Sequence, residues 1–96
     1  MKRFILFLII IMSFLTVSIA SADDDYAQGL SFYKKRDFRS SIKYLMSYVD
    51  KTPDPGAYYL IGYASYKLKD YPKARKYFND AYTLDPDFKP AMIKIK

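Results

Sequence analysis

The side chains that most often run catalysis do not occur in this chain. It has no histidine, cysteine, tryptophan or glutamate. Histidine is the usual acid–base group near neutral pH, and zinc-type metal sites lean on His and Cys. The acids are ten aspartates, and most stand where helices should begin or end. Asp23-Asp24-Asp25 is the densest cluster of oxygen ligands and raises calcium binding, but the EF-hand spacing is absent. The run reads instead as easing removal of a leader and offsetting the positive end of a first helix. Gly29 and Gly62, the repeated glycines, fall inside expected helices, so no loop cradles a phosphate. The sequence therefore assigns no catalytic residue, no cofactor and no metal.

The opening residues bear on the compartment. Lys2 and Arg3 precede an apolar run from Phe4 to Leu15 broken only by Ser13. Small residues follow, ending Ala20-Ser21-Ala22 before the aspartates. That order describes a secretory signal peptide over 1–22 with cleavage after Ala22; an uncleaved anchor is the rival reading. The expected destination is the periplasm or the cell exterior, and membrane contact is expected only through the leader before its removal. Residues 23–96 then make one small domain, which buries only about 60% of its unfolded surface. Without cysteine it has no disulfide to add stability. Sixteen Lys and Arg, less Lys2 and Arg3, stand against ten acids, giving this part a net charge of +4. The lysines are interspersed with tyrosines and aspartates and form no basic block, so each helix is expected to carry a solvated face and nucleic acid is not expected as a partner.

The chain resembles itself at a shift of 33 residues. Identical pairs are Tyr26/Tyr59, Gly29/Gly62, Tyr33/Tyr66, Lys34/Lys67, Asp37/Asp70, Lys43/Lys76, Tyr44/Tyr77, Pro53/Pro86 and Asp54/Asp87. Phe38/Tyr71 and Leu45/Phe78 add like-for-like exchanges. Such density over one register marks a duplication.

Each copy reads as two helices. Tyr58, Ile61, Gly62 and Ser65 fall at i, i+3, i+4 and i+7, one helical stripe. A glycine inside a helix costs about 1 kcal/mol relative to alanine. Its repetition at Gly29 and Gly62 predicts close approach of a neighbouring helix. Arg36-Asp37 and Lys69-Asp70 mark the turn within each copy, the aspartate capping the next helix. Pro72 suits a first turn, where its missing N–H costs nothing. Apolar stripes resume as Phe38, Ile42, Leu45 and Val49, and as Tyr71, Ala74, Phe78 and Ala81. Pro53 and Pro86 should push Thr52 and Asp85 out of the helix. No stretch alternates as a strand would.

These residues resemble the tetratricopeptide repeat, a helix pair of about 34 residues. Tyr58, Ile61-Gly62, Tyr66, Asp70-Tyr71, Ala74, Phe78, Ala81 and Leu84-Asp85-Pro86 carry the resemblance in the second copy, with Ser65 departing where tyrosine is usual. In the first copy Gly29, Phe32, Asp37-Phe38, Leu45 and Pro53 fit. Asp25, Gln28, Ser41 and Tyr48 depart, and the link between copies is one residue short. The expected fold is all-α, an α-α superhelix fragment of two helix-turn-helix repeats over 23–55 and 56–88. Residues 89–96 resemble the opening of a third repeat, with a short helix beginning at Pro90-Ala91-Met92.

The resemblance implies a non-catalytic protein-binding module in which the first helix of each repeat lines a concave groove. Carried over by position, the groove residues are Tyr26, Leu30, Tyr33 and Lys34 with Tyr59, Tyr63, Tyr66 and Lys67. Tyrosine offers wide contact area and a polar tip, and the lysines favour an acidic protein or peptide partner. Eleven tyrosines also exceed what one ligand can touch, so many must fill seams between helices. The alternative is a self-associating or complex-completing subunit. About three repeats usually make a stable stack, and an end face with Phe88, Met92, Ile93 and Ile95 is expected to be open to a second copy. Binding of an anionic envelope polymer through the lysines is a third expectation.

Overall fold

The computed structural model describes residues 21–95. The apolar leader lies outside the described residues; Ser21 and Ala22, the last two of the expected 1–22 segment, open the first helix. Four α-helices follow in order: α1 Ser21–Lys34, α2 Phe38–Lys51, α3 Pro55–Lys67 and α4 Tyr71–Leu84. Among the described residues there is no strand. Each helix packs on the next, so that α3 is enclosed between α2 and α4.

The helix ends follow the local chemistry. Asp37 caps α2 by accepting from the Ser40 amide at 3.3 Å, and Asp70 caps α4 by accepting from the Lys73 amide at 3.4 Å. Asp54 does the same for α3, accepting from the Gly56 amide at 3.0 Å, with Pro55 in the first turn. The residues before Pro53 and Pro86 leave the helix as expected: Thr52 sits at φ −134°, ψ 93° and Asp85 at φ −141°, ψ 97°. Between paired helices the chain reverses through Arg36 and Lys69, at φ 62° and 65°. The amides of Asp37 and Asp70 reach back to the carbonyls of Phe32 and Ser65, both at 2.9 Å. This six-residue closure is the usual way a helix ends on a left-handed residue. A side chain at that φ costs roughly 1 kcal/mol, which the chain accepts in both copies.

The core lies across the α2–α3 seam. Ile42, Leu45 and Val49 of α2 meet Ala57, Leu60, Ile61 and Ala64 of α3, with Tyr77 of α4 closing the far side. Helix α3 is buried on two faces. The stripe with Ile61, Gly62 and Ser65 was expected; the stripe with Ala57, Leu60 and Ala64 comes from its central position. Tyr77, which the apolar stripes omit, is buried against Tyr58 with ring centroids 6.1 Å apart. The repeated glycines do face a neighbour. A Cβ at Gly29 would lie 2.7 Å from Cγ and Cδ2 of Leu45, and one at Gly62 would lie 2.7 Å from Cδ1 of Phe78. Leu45 and Phe78 are themselves one repeat apart, so the two close contacts are copies of one another.

The departures in the first copy have partners. Ser41 is fully buried and donates from Oγ to the Gly29 carbonyl at 2.8 Å, a bond between α1 and α2 at the glycine contact. Tyr48 lays its ring 4.7 Å from that of Tyr26 and donates from its hydroxyl to Asp54 at 3.4 Å. Ser65, also fully buried, donates to the Ile61 carbonyl at 2.7 Å within its own helix.

The end of the described chain differs from expectation. Instead of a short α-helix, Pro90–Met92 makes one 3-10 turn and Ile93 leaves it in extended geometry. The β-branched Ile93 and Ile95 that follow favour extension. Nor is the end face open in the way expected. Phe88 is only 6% exposed, its ring between those of Tyr59 and Tyr82 at 5.7 and 5.8 Å. Ile93 packs on the core, leaving Met92 and Ile95 exposed. Of the surface expected to receive a second copy, Phe88 and Ile93 are thus used within the chain.

Candidate partner-binding surface

Every tyrosine and lysine expected to line a groove falls on α1 or α3, but they do not form one site. Tyr33, Lys34, Tyr63 and Lys67 converge on a pocket of about 370 Å³, joined by Arg36, Phe38 and Ile95. The Tyr33 and Tyr63 rings are 6.2 Å apart, and Phe38 meets Tyr33 edge-on at 5.6 Å. Lys67 places its ammonium 5.3 Å above the Tyr63 ring. Within about 6 Å such a cation is attracted by the ring's negative face, which holds it at the pocket edge. Lys34, Arg36 and Lys67 are all exposed, and no acid lines this pocket among the described residues.

The other expected residues sit elsewhere. Tyr26 lines a second pocket of about 410 Å³ toward the start of α3, with Asp54, Gly56, Asp85, Phe88 and Ile93. Leu30 packs against the core. Tyr59 is a seam residue, its ring 5.1 Å from Phe78 and 5.7 Å from Phe88. Tyr66 is 51% exposed and turns toward Tyr71 of α4, at 5.6 Å. Sequence reasoning missed Arg36, Phe38 and Ile95. Arg36 carried a signal, because a basic residue before the capping aspartate recurs at Lys69. Ile95 carried none, since its place depends on a tail that turns back along α3.

The tetratricopeptide repeat family model matches residues 26–87. The chain belongs to the tetratricopeptide repeat family. No curated protein and no solved structure matches it.

Tetratricopeptide repeats generally mediate protein–protein interaction, and as a family they are typically non-catalytic. Against that background the tyrosines of α1 and α3 divide into two kinds. Tyr26 and Tyr59 are equivalent by repeat and both are held by rings behind them: Tyr48 in the first copy, Phe78 and Phe88 in the second. Where α4 carries Ala81 in place of Tyr48, the ring of Phe88 arrives from beyond the helix instead. Tyr33 and Tyr63 are not repeat-equivalent, and they meet across the gap between α1 and α3.

The electrostatics of that meeting give a measurable signature. Burial, followed by the nearby Tyr63 and Tyr59 hydroxyls, raises the Tyr33 pKa from 10.0 to about 12. Burial raises Tyr59 as well, with Tyr82 and Tyr63 adding to it. The fold thus favours neutral Tyr33, and this contribution is complete below pH 10 and lost as pH rises through about 12. Absorbance at 295 nm should show a late-titrating tyrosine that Tyr33→Phe removes. Stability should fall less steeply above pH 10 in that variant. Equal alkaline slopes for the two proteins would contradict the burial of this hydroxyl.

Proposed function

We propose that this chain is an exported, non-catalytic binding module that holds a segment of a partner protein in the cleft between α1 and α3. The carrying observation is the convergence of Tyr33 and Tyr63 with Lys34, Arg36 and Lys67 on one pocket. Two rings offer apolar contact that loses little side-chain entropy, and three cations at the rim select a partner bearing carboxylates. Export rests on the leader over 1–22. Cleavage after Ala22 would leave Asp23-Asp24-Asp25 as the first turn of α1, where negative charge favours the helix.

The test is capture of partners from the cell envelope by wild type and by a Lys34→Glu/Lys67→Glu variant. Both side chains are exposed, so the helical circular dichroism should be unchanged. Reversing the rim charge should lower the affinity of the captured protein at least about tenfold, equivalent to roughly 1.4 kcal/mol. A partner retained equally by both proteins would place its binding on another surface. Loss of binding by wild type in moderate salt to every acidic polymer alike would favour the envelope-polymer reading, because exposed charge is screened by salt.

A further inference from the structure

The cleft is not empty, because residues 93–95 of the same chain already lie along it. After the turn at Pro90–Met92 the backbone extends at Ile93. Ile93 is half-buried against the core, and its Cγ1 would lie 3.4 Å from a Cβ at Gly56, near the start of α3. Ile95 is on the wall of the Tyr33–Tyr63 pocket, further along the same helix. In an extended chain residues i and i+2 point to the same side, which accounts for both isoleucines entering the cleft. Lys94, between them, shares its pocket with Asp54 and Asp85. The cleft is therefore polarised, with two carboxylates at the end where the tail enters and three cations at the end it reaches.

The tail matches only part of this surface. It supplies apolar side chains at alternate positions and a lysine at the acidic end. Among the described residues it supplies only Ile95 at the end formed by Lys34, Arg36 and Lys67; Ile95 answers the rings, and the three cations stay exposed. Ile95 is still 37% exposed there.

We infer that the site recognises an extended segment with apolar residues at alternate positions followed by an acidic residue, and that the chain's own Ile93–Ile95 is a weaker resident copy of that ligand which the partner displaces. This rests on the proposed use of the cleft for a protein segment and adds the form of the ligand and its competitor. A resident tail lowers apparent affinity by the fraction of time the cleft is open. The matching ligand gains over the tail through charge-assisted bonds to the cations.

The probe is a fluorescein-labelled peptide of residues 89–96 carrying Lys96→Asp, titrated by fluorescence anisotropy into two full-length proteins. One is wild type; the other carries Ile93→Ser and Ile95→Ser, which remove the apolar side chains that hold the tail in the cleft without adding a carboxylate beside Lys34, Arg36 and Lys67. The variant should bind the peptide about tenfold or more tightly than wild type does. The same peptide with both isoleucines changed to serine should not bind. In the variant the Tyr33 and Tyr63 ring resonances should shift without peptide and return toward the wild-type positions on saturation. Equal affinity for wild type and variant would overturn the resident tail. Ring shifts with no peptide binding would overturn the ligand assignment and leave the tail as a plain cover. Binding by the variant of an amphipathic helical peptide with apolar residues at i and i+4, in place of the extended one, would overturn the inference while leaving the protein-binding function standing.

Discussion

Gly62→Val should be strongly destabilising, lowering stability by about 3 kcal/mol. The valine Cβ would be placed 2.7 and 2.9 Å from Cδ1 and Cε1 of Phe78, closer than carbon atoms approach. Two methyl groups beyond it would press further into the same ring. Phe78 packs on Tyr59, whose centroid is 5.1 Å away and which also holds Phe88, so a shift of the Phe78 ring would disturb that contact. Overpacking of this kind typically costs 1–3 kcal/mol and occasionally more. Replacing glycine within a helix returns at most about 1 kcal/mol of backbone propensity, so the steric loss wins. Small domains are stable by roughly 0.05–0.15 kcal/mol per residue, so this one has little to lose. Urea unfolding followed at 222 nm should show a much lower midpoint, with Gly62→Ala intermediate. A valine variant with the wild-type midpoint would mean that α3 and α4 are not nested at this position.

That contact was legible in the sequence because a glycine within a helical stripe is costly and here occurs twice at one interval. The same is true of the helix ends. Aspartate at 37 and 70, and proline at 53 and 86, act through bonds and clashes within a few residues, so local sequence suffices to place them. The enclosure of α3 was less legible. Its stripe through Ala57, Leu60 and Ala64 reads as a helix in any register, and only the stacking of α2 and α4 on opposite sides buries both stripes.

The candidate site was legible in part for a related reason. Position within a repeat identifies the helices α1 and α3, but not which of their rings is held from behind. Tyr59 and Tyr63 look alike as residues. Tyr59 becomes a seam residue because Ala81 leaves room for Phe88, a contact that depends on the chain turning back after Pro86. Tyr63 keeps a face on the cleft because its neighbour is Tyr33, across a gap between helices that are not consecutive. The tail was the least legible element. Ile93 and Ile95 alternate, but two residues of alternation are common in any chain, and their partners lie on α1 and α3.

Leu45→Ala should cost about 2–5 kcal/mol, the usual range for deleting a fully buried leucine side chain, and it should also reverse the effect of a second substitution. Leu45 is 0% exposed and is the residue against which Gly29 packs. In the otherwise natural chain, Gly29→Ala should be destabilising, because its Cβ would stand 2.7 Å from both Cγ and Cδ2 of Leu45. With Leu45 cut back to alanine those two atoms are gone, and the nearest remaining neighbour of that Cβ is the residue-45 amide nitrogen at 3.3 Å. The added methyl then fills part of the cavity it would otherwise clash with, and the helix gains up to about 1 kcal/mol in propensity. Gly29→Ala should therefore lower the urea midpoint in one background and raise it in the other. The coupling should be about 1–3 kcal/mol, as residues in direct contact show. An equal effect in both backgrounds would mean that Gly29 is retained for a reason other than the Leu45 side chain.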